Sequence, residues 1–322
     1  MPGKLSTALV LLLGMHAAHA GAATPLQLQS PDGRNRVGFA LDDEGTPTWT
    51  VARDGKTVIA PSSLGVRLAG DVQVGKPLRV LASRSAGADQ RYERVAGKSR
   101  EGRDHYRELE IDLAGADGHV LGVVLRAYDD GVALRYRLPR PARGDLVVNE
   151  DLTGFLFPRD YACHALNLGR FGTSHEGEFD PVDASRIRPH HLLDLPLVCA
   201  TGQGTTTFAI AEADLSRYAA LYLSGGGDGR LGVEARLSPR LDEQGVAVRL
   251  LRTEVDARGH STPWRVVMLG DSPGALVESD IVERLNPPTP ISDTSWIRPG
   301  KSAWDWWSGG LAPDVPEPGM NT

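Results

Sequence analysis

Between about residue 25 and residue 285 apolar and polar positions alternate in short runs, and Gly-containing turns separate the runs. A period of two places successive side chains on opposite faces, so each run predicts a β-strand with one buried face. Pro31-Asp32-Gly33 precedes "RNRVGFAL", and Arg53-Asp54-Gly55 joins "TWTVA" to "TVIA". The clearest unit is "HVLGVVLRAYDDGVALRYRL" at 119–138, in which Val120, Val124 and Tyr128 alternate with Leu121, Val123 and Leu125. Asp130-Gly131 is expected to supply the positive φ angles of a tight hairpin there, with "VALRYRL" as the returning strand. Helical periodicity is nearly absent before residue 270. Many short strands with few helices predict a mainly β fold of two packed antiparallel sheets, larger than an immunoglobulin domain.

The pattern changes at "NPPTPISD", 286–293, where Pro287, Pro288 and Pro290 lack backbone donors and favour extended chain. A linker is expected over 286–295. Beyond it, "DTSWIRPGKSAWDWWSGG" holds four of the six tryptophans. "KSAWDWW" reads as a buried strand ending in a loop, and in parallel α/β barrels the chemistry sits at such strand ends. Trp306 and Trp307 are then candidates for a sugar-binding mouth, since flat aromatic faces pack on sugar C–H groups; core or interface anchoring is the alternative. Asp305, between Trp304 and Trp306, faces either the site or the barrel wall.

Composition narrows the partners. The chain is 41% hydrophobic and 24% charged with a net charge of −6, and no run of Lys or Arg occurs. That excludes a nucleic-acid stripe and a membrane-surface helix. Lys4, the apolar "ALVLLLGM" and Ala18-His19-Ala20 read as a signal peptide over 1–20, cleaved after Ala20, which predicts a secreted or periplasmic protein. No later segment has the length of a membrane span. Cys163 and Cys199 are the only cysteines. An oxidising compartment allows them to pair; two separately buried thiols are the alternative reading.

Few residues carry chemistry on their own. Asp129 and Asp130 form a carboxylate pair, but Asp-Gly at a hairpin tip is common turn chemistry. His190 and His191 lack further ligands at metal spacing, and their side chains are expected to point apart on a strand. Glu176, in "TSHEGEFDP", reads alone as solvated surface.

"LQSPDGRNRVGFALDDEGTPTWTVARDGKTVIAPSSLGV", "RAYDDGVALRYRLP", "EADLSRY", "TPWRVVMLGDSPGALVESDIVERLNPP", "DTSWIRPGKSAWDWWSGG" and "GMNT" together resemble the N-terminal region of glycoside hydrolase family 97. The resemblance implies a β-supersandwich, expected over 24–285, leading into a catalytic (β/α)8 barrel that starts within 296–322. It implies hydrolysis of α-glucosides or α-galactosides in oligosaccharides, and calcium in the members that invert configuration. "KSAWDWW" corresponds to the first barrel strand and "GMNT" leads into the first barrel helix. A barrel takes about 250 residues, so the chain is expected to be a fragment, inactive alone, with the catalytic carboxylates beyond it. Family members carry Tyr-Glu-Gly where this chain has His175-Glu176-Gly177, and the Glu ligates calcium. The resemblance therefore makes Glu176 a calcium ligand, with His175 as a departure. The competing reading is a non-catalytic β-sandwich that binds carbohydrate. Glucoside against galactoside, inversion against retention, and oligomeric state are not set by these residues.

Overall fold

A computed structural model describes residues 25–301, except 69–71, 75–76, 116–117, 119, 139–145, 203–205, 217, 242–246, 250–251 and 254–259. Two large antiparallel sheets dominate. The seven-stranded sheet runs in the order Leu26–Gln29, Asn35–Leu41, Pro47–Arg53, Lys56–Ser63, Gly154–Leu156, Gly232–Leu237 and Leu221–Gly225. The ten-stranded sheet runs from Asp180–Asp183 through Ala162–Ala165, Leu197–Ala200, Thr207–Ala213, Trp264–Gly270, Gly131–Leu138, Val120–Tyr128 and Glu101–Gly115 to Leu78–Glu93, with His260–Ser261 paired beside Gly131–Leu138. The mainly β expectation holds, and the alternation explains it. Val37 and Phe39, Trp49 and Val51, Ile111 and Leu113, Leu121 and Val123, and Leu134 and Tyr136 all join one buried cluster drawn from both sheets. Trp49 shows how the sheet is locked: its indole is fully buried, packs edge-on against Phe155 at 5.5 Å and donates Nε1–H to the Gly154 carbonyl at 2.9 Å. A buried indole needs such an acceptor.

The outer face of the large sheet has a second, smaller core. Val124, Tyr128, Trp264 and Val266 are covered by Ile281 and Leu285. The covering segment is short: α1 (Pro273–Glu278), capped by the Ser272 side chain accepting from the Ala275 N–H, and α2 (Ile281–Arg284). Arg126 and Arg135 hold their guanidinium groups over the Trp264 ring at 4.9 and 4.2 Å, a cation–π arrangement that adds to the cover of this core.

Two turns separate a correct expectation from a wrong one. Asp54 and Gly55 adopt φ of 50° and 75°, as a two-residue hairpin requires. In the hairpin of Val120–Tyr128 with Gly131–Leu138 the turn is Asp129-Asp130, Gly131 already pairs with Tyr128, and no positive φ occurs. Gly131 is needed for packing instead. A Cβ there would lie 2.6 Å from the Val267 carbonyl oxygen and 2.8 Å from Ile281 Cδ1.

Residues 287–300 form no strand or helix, and Trp296 is 67% exposed. The segment expected to be the first barrel strand, with Trp304, Asp305, Trp306 and Trp307, lies outside the described residues, as does the expected signal peptide over 1–20. Among the described residues no helix is long and apolar enough to cross a membrane.

Candidate functional site

The Glu176 loop leaves the strand Ala162–Ala165 and returns as the strand Asp180–Asp183 at the edge of the large sheet. Its first corner is fixed by Asn167, whose side-chain oxygen accepts from the N–H groups of Leu192 (3.1 Å) and Gly169 (3.3 Å). Gly169 and Gly172 then turn the chain with φ of 69° and 71°, values that favour glycine. Phe171, between them, packs edge-on against Tyr222 at 5.1 Å.

His175 has φ of 60°, an uncommon conformation for a residue with a Cβ. Its side chain is engaged on both sides. Nδ1 lies 2.7 Å from Asp194 Oδ2, and Nε2 lies 3.4 Å from the Tyr222 hydroxyl. Because a carboxylate only accepts, Nδ1 donates to Asp194. Asp194 is itself held, its N–H donating to the Leu166 carbonyl at 2.9 Å and its Oδ1 accepting from the Leu195 N–H at 2.9 Å. Burial, with Asp194 and Glu212 nearby, raises the Tyr222 hydroxyl above its ordinary range, so it stays protonated as a donor. One residue after Glu176, Gly177 sits so close to Leu166 that a Cβ would come within 2.5 Å of Leu166 Cδ1.

Glu176 lies between these two fixed neighbours. It is exposed, and it makes no hydrogen bond or ion pair among the described residues. An ionised carboxylate with free lone pairs is a ligand for a hard cation or a partner for a positive group. Among the described residues no group of three or more His, Cys, Asp or Glu is placed to hold a metal ion. Glu176 therefore fits calcium as a single donor and not as a complete site.

A groove of about 1210 Å³ adjoins the loop, with Phe171, Gly172, Arg67, Asn149 and Arg236 in its wall. His190 and His191 also line it. They lie in a turn and not on a strand, so their rings meet edge-to-face at 4.6 Å instead of pointing apart. Burial, then the charges of His190 and Arg188, lowers the His191 imidazole below its usual value, so it stays neutral near pH 7.

Asp129 and Asp130 both have structural partners. Asp129 accepts from the Asp32 N–H at 2.9 Å; burial raises its carboxyl above the usual range, that bond opposing the shift and the Asp32 charge adding to it. Asp130 accepts from Arg284 and from Ser279, tying the hairpin to α2. Cys163 and Cys199, opposite each other on neighbouring strands, form a disulfide. Sequence reasoning missed Asp194, Tyr222 and Phe171 as supports of the loop. They lie 19 or more residues from the residues they hold, with no local pattern to mark them.

Comparison with known proteins matches the fold and the loop-bearing region together. The family described as "Glycosyl-hydrolase 97 N-terminal" matches residues 28–288. A protein of Streptomyces bingchenggensis named "Probable retaining alpha-galactosidase" is 31% identical over 312 residues, covering 95% of this chain and 45% of its own length. The "Retaining alpha-galactosidase" of Bacteroides thetaiotaomicron is 26% identical over 300 residues, covering 87% of this chain and 44% of its own. The chain thus spans less than half the length of either relative. A glycoside hydrolase family 97 enzyme from Pseudoalteromonas sp. strain K8, solved in complex with acarbose, superposes with a TM-score of 0.76 at 26% identity, over 88% of this chain and 41% of that one. With the family match spanning most of the chain and the sandwich matching in three dimensions, the chain belongs to glycoside hydrolase family 97, of which it carries the N-terminal domain.

Proposed function

We propose that this chain is the N-terminal part of a secreted retaining α-galactosidase acting on oligosaccharides, in which the sandwich supports a catalytic barrel and presents Glu176 to it. The reading is carried by the 31% identity over 95% of the chain to a protein named as a retaining α-galactosidase. No described residue is assigned a catalytic role; the carboxylates that retention requires belong to the barrel. Trp306 and Trp307 stand as the sugar-contacting residues at the barrel mouth. The leader at 1–20 supports export.

Calcium is the divided point. The resemblance ties it to inverting members, and the relatives are named as retaining. The Glu176 loop favours a cation, because it leaves an exposed carboxylate without a partner among the described residues. When bound, calcium would supply positive charge beside the sugar, and Glu176 would tie the sandwich to it.

The test uses the protein extended through the barrel. It should hydrolyse p-nitrophenyl α-galactoside faster than the α-glucoside, with the α-anomer released first by NMR. Inversion, or a preference for the glucoside, overturns the substrate reading. Glu176→Gln keeps shape and removes charge, so calcium affinity by calorimetry and turnover should fall together. Unchanged calcium affinity, or no calcium in the unaltered protein, returns Glu176 to solvated surface.

A further inference from the structure

Residues 169–180 are almost wholly exposed, yet the loop is tethered to the body at three places: Phe171 on Tyr222, His175 on Asp194 and Tyr222, and Gly177 on Leu166. A loop that buries so little apolar surface of its own gains little from being ordered, and ordering each residue costs conformational entropy. The middle tether also holds the one non-glycine residue of the loop with a left-handed φ. Its anchor comes from outside the loop: Asp194 is fixed by its own backbone contacts to Leu166 and Leu195. The position is also where this chain departs from the Tyr-Glu-Gly of the family it resembles.

We propose that His175 is a positioning residue for Glu176: its Nδ1–H bond to Asp194, backed by Tyr222, locks the backbone just before Glu176 so that the carboxylate is presented, already ordered, to a divalent cation. The proposal rests on the reading of Glu176 as a cation ligand. In this arrangement the entropy of ordering the loop is lost on folding and not on metal binding, so the clamp raises cation affinity without touching the cation. The two side-chain partners are used in complementary ways. Asp194 accepts from Nδ1, and Nε2 on the other side of the ring lies 3.4 Å from the Tyr222 hydroxyl.

Three substitutions separate the side-chain bond from the backbone conformation. His175→Ala removes the bond and leaves a Cβ at positive φ. His175→Gly removes the bond but relieves the backbone. His175→Asn keeps a nitrogen donor one bond beyond Cγ, where Nδ1 stands, and Asn tolerates the left-handed region. In this chain, backbone 15N order parameters over 174–177 should fall from about 0.85 to below about 0.6 in the Ala and Gly variants and stay close to unaltered in the Asn variant. In the protein extended through the barrel, calcium affinity should weaken by about tenfold in the Ala and Gly variants and be rescued by Asn. Turnover lost in the Ala variant should return when calcium is raised by the same factor, which a merely damaged fold does not allow. Unaltered order parameters in His175→Gly, or failure of Asn to rescue, overturns the clamp while a calcium defect in Glu176→Gln leaves the ligand reading standing. Lowered order parameters in His175→Ala with no calcium defect in Glu176→Gln overturn both, since nothing remains to be positioned.

Discussion

Replacing Arg265 by Met should cost the sandwich about 3 kcal/mol, and the cost should shrink in acid. Arg265 is fully buried at the second position of the apolar strand Trp264–Gly270. Its Nε and Nη2 donate to Asp151 Oδ2 at 2.9 and 2.7 Å, and its Nη1 donates to Glu212 Oε1. Met fills similar space without charge, leaving two buried carboxylates uncompensated. Removing one partner of a buried pair generally costs about 3–5 kcal/mol. The lower end applies because each carboxylate keeps one backbone donor, Asp151 from Thr153 at 2.9 Å and Glu212 from Leu221 at 3.0 Å. Burial already raises the Glu212 carboxyl, with Arg265 opposing the shift, so loss of Arg265 raises it further. A carboxyl raised in the folded state gives stability that is present at low pH and lost as pH rises through its folded value. The gap between the two proteins should therefore be widest near pH 8 and narrow toward pH 5. Urea unfolding at both pH values measures it. The triple replacement Arg265→Met, Asp151→Leu and Glu212→Leu, which removes all three charges, should recover most of the loss. A deficit below about 1 kcal/mol at pH 8, the scale of a surface pair, or a gap that widens in acid, refutes the reasoning.

Two further outcomes follow from other parts of the fold. Cys163→Ser with Cys199→Ser should lower stability by about 4 kcal/mol from the chain entropy of the closed loop, and reductant should move the unaltered protein's urea midpoint to that of the variant. Coincident midpoints without reductant would remove the bond from the stability account. Gly131→Ala should cost about 1–3 kcal/mol by overpacking against Val267 and Ile281, read by the same urea titration, and a silent substitution would contradict the close approach of the hairpin to α2.

What was legible in the chain followed from period and from local chemistry. Val37 and Phe39, or Trp49 and Val51, face the core because alternate positions on a strand share a face, and that pattern needs no distant information. Asp54-Gly55 was readable for the same reason, since a two-residue turn writes its φ requirement into its own residues. Gly131 was misread because a glycine required by a neighbouring strand looks, in sequence, like one required by a turn. His190 and His191 were misread because their turn was taken for a strand. The partners of Arg265 lie 114 and 53 residues away, and the disulfide closes across a separation of 36. Such pairings exist only once the sheets are assembled. Glu176 was singled out only through resemblance, and the contacts that shape its loop were not read from the sequence at all.

Those hidden contacts share one frame. The Glu176 loop departs from the strand Ala162–Ala165, and Asp194, which holds His175, stands just before the strand Leu197–Ala200. These two strands are neighbours in the large sheet, and the disulfide joins them at Cys163 and Cys199. Splaying the strands apart would pull Asp194 away from the loop, so the cross-link and the clamp resist the same motion. The far edge of the sheet is built differently: Leu78–Glu93 is a long, nearly fully exposed strand carrying Arg79, Arg84, Asp89, Arg91 and Glu93, a charge pattern that discourages edge-to-edge association. Covalent reinforcement is thus placed on the side of the sheet that carries the exposed carboxylate, where a small displacement of the base would be carried directly into the position of Glu176.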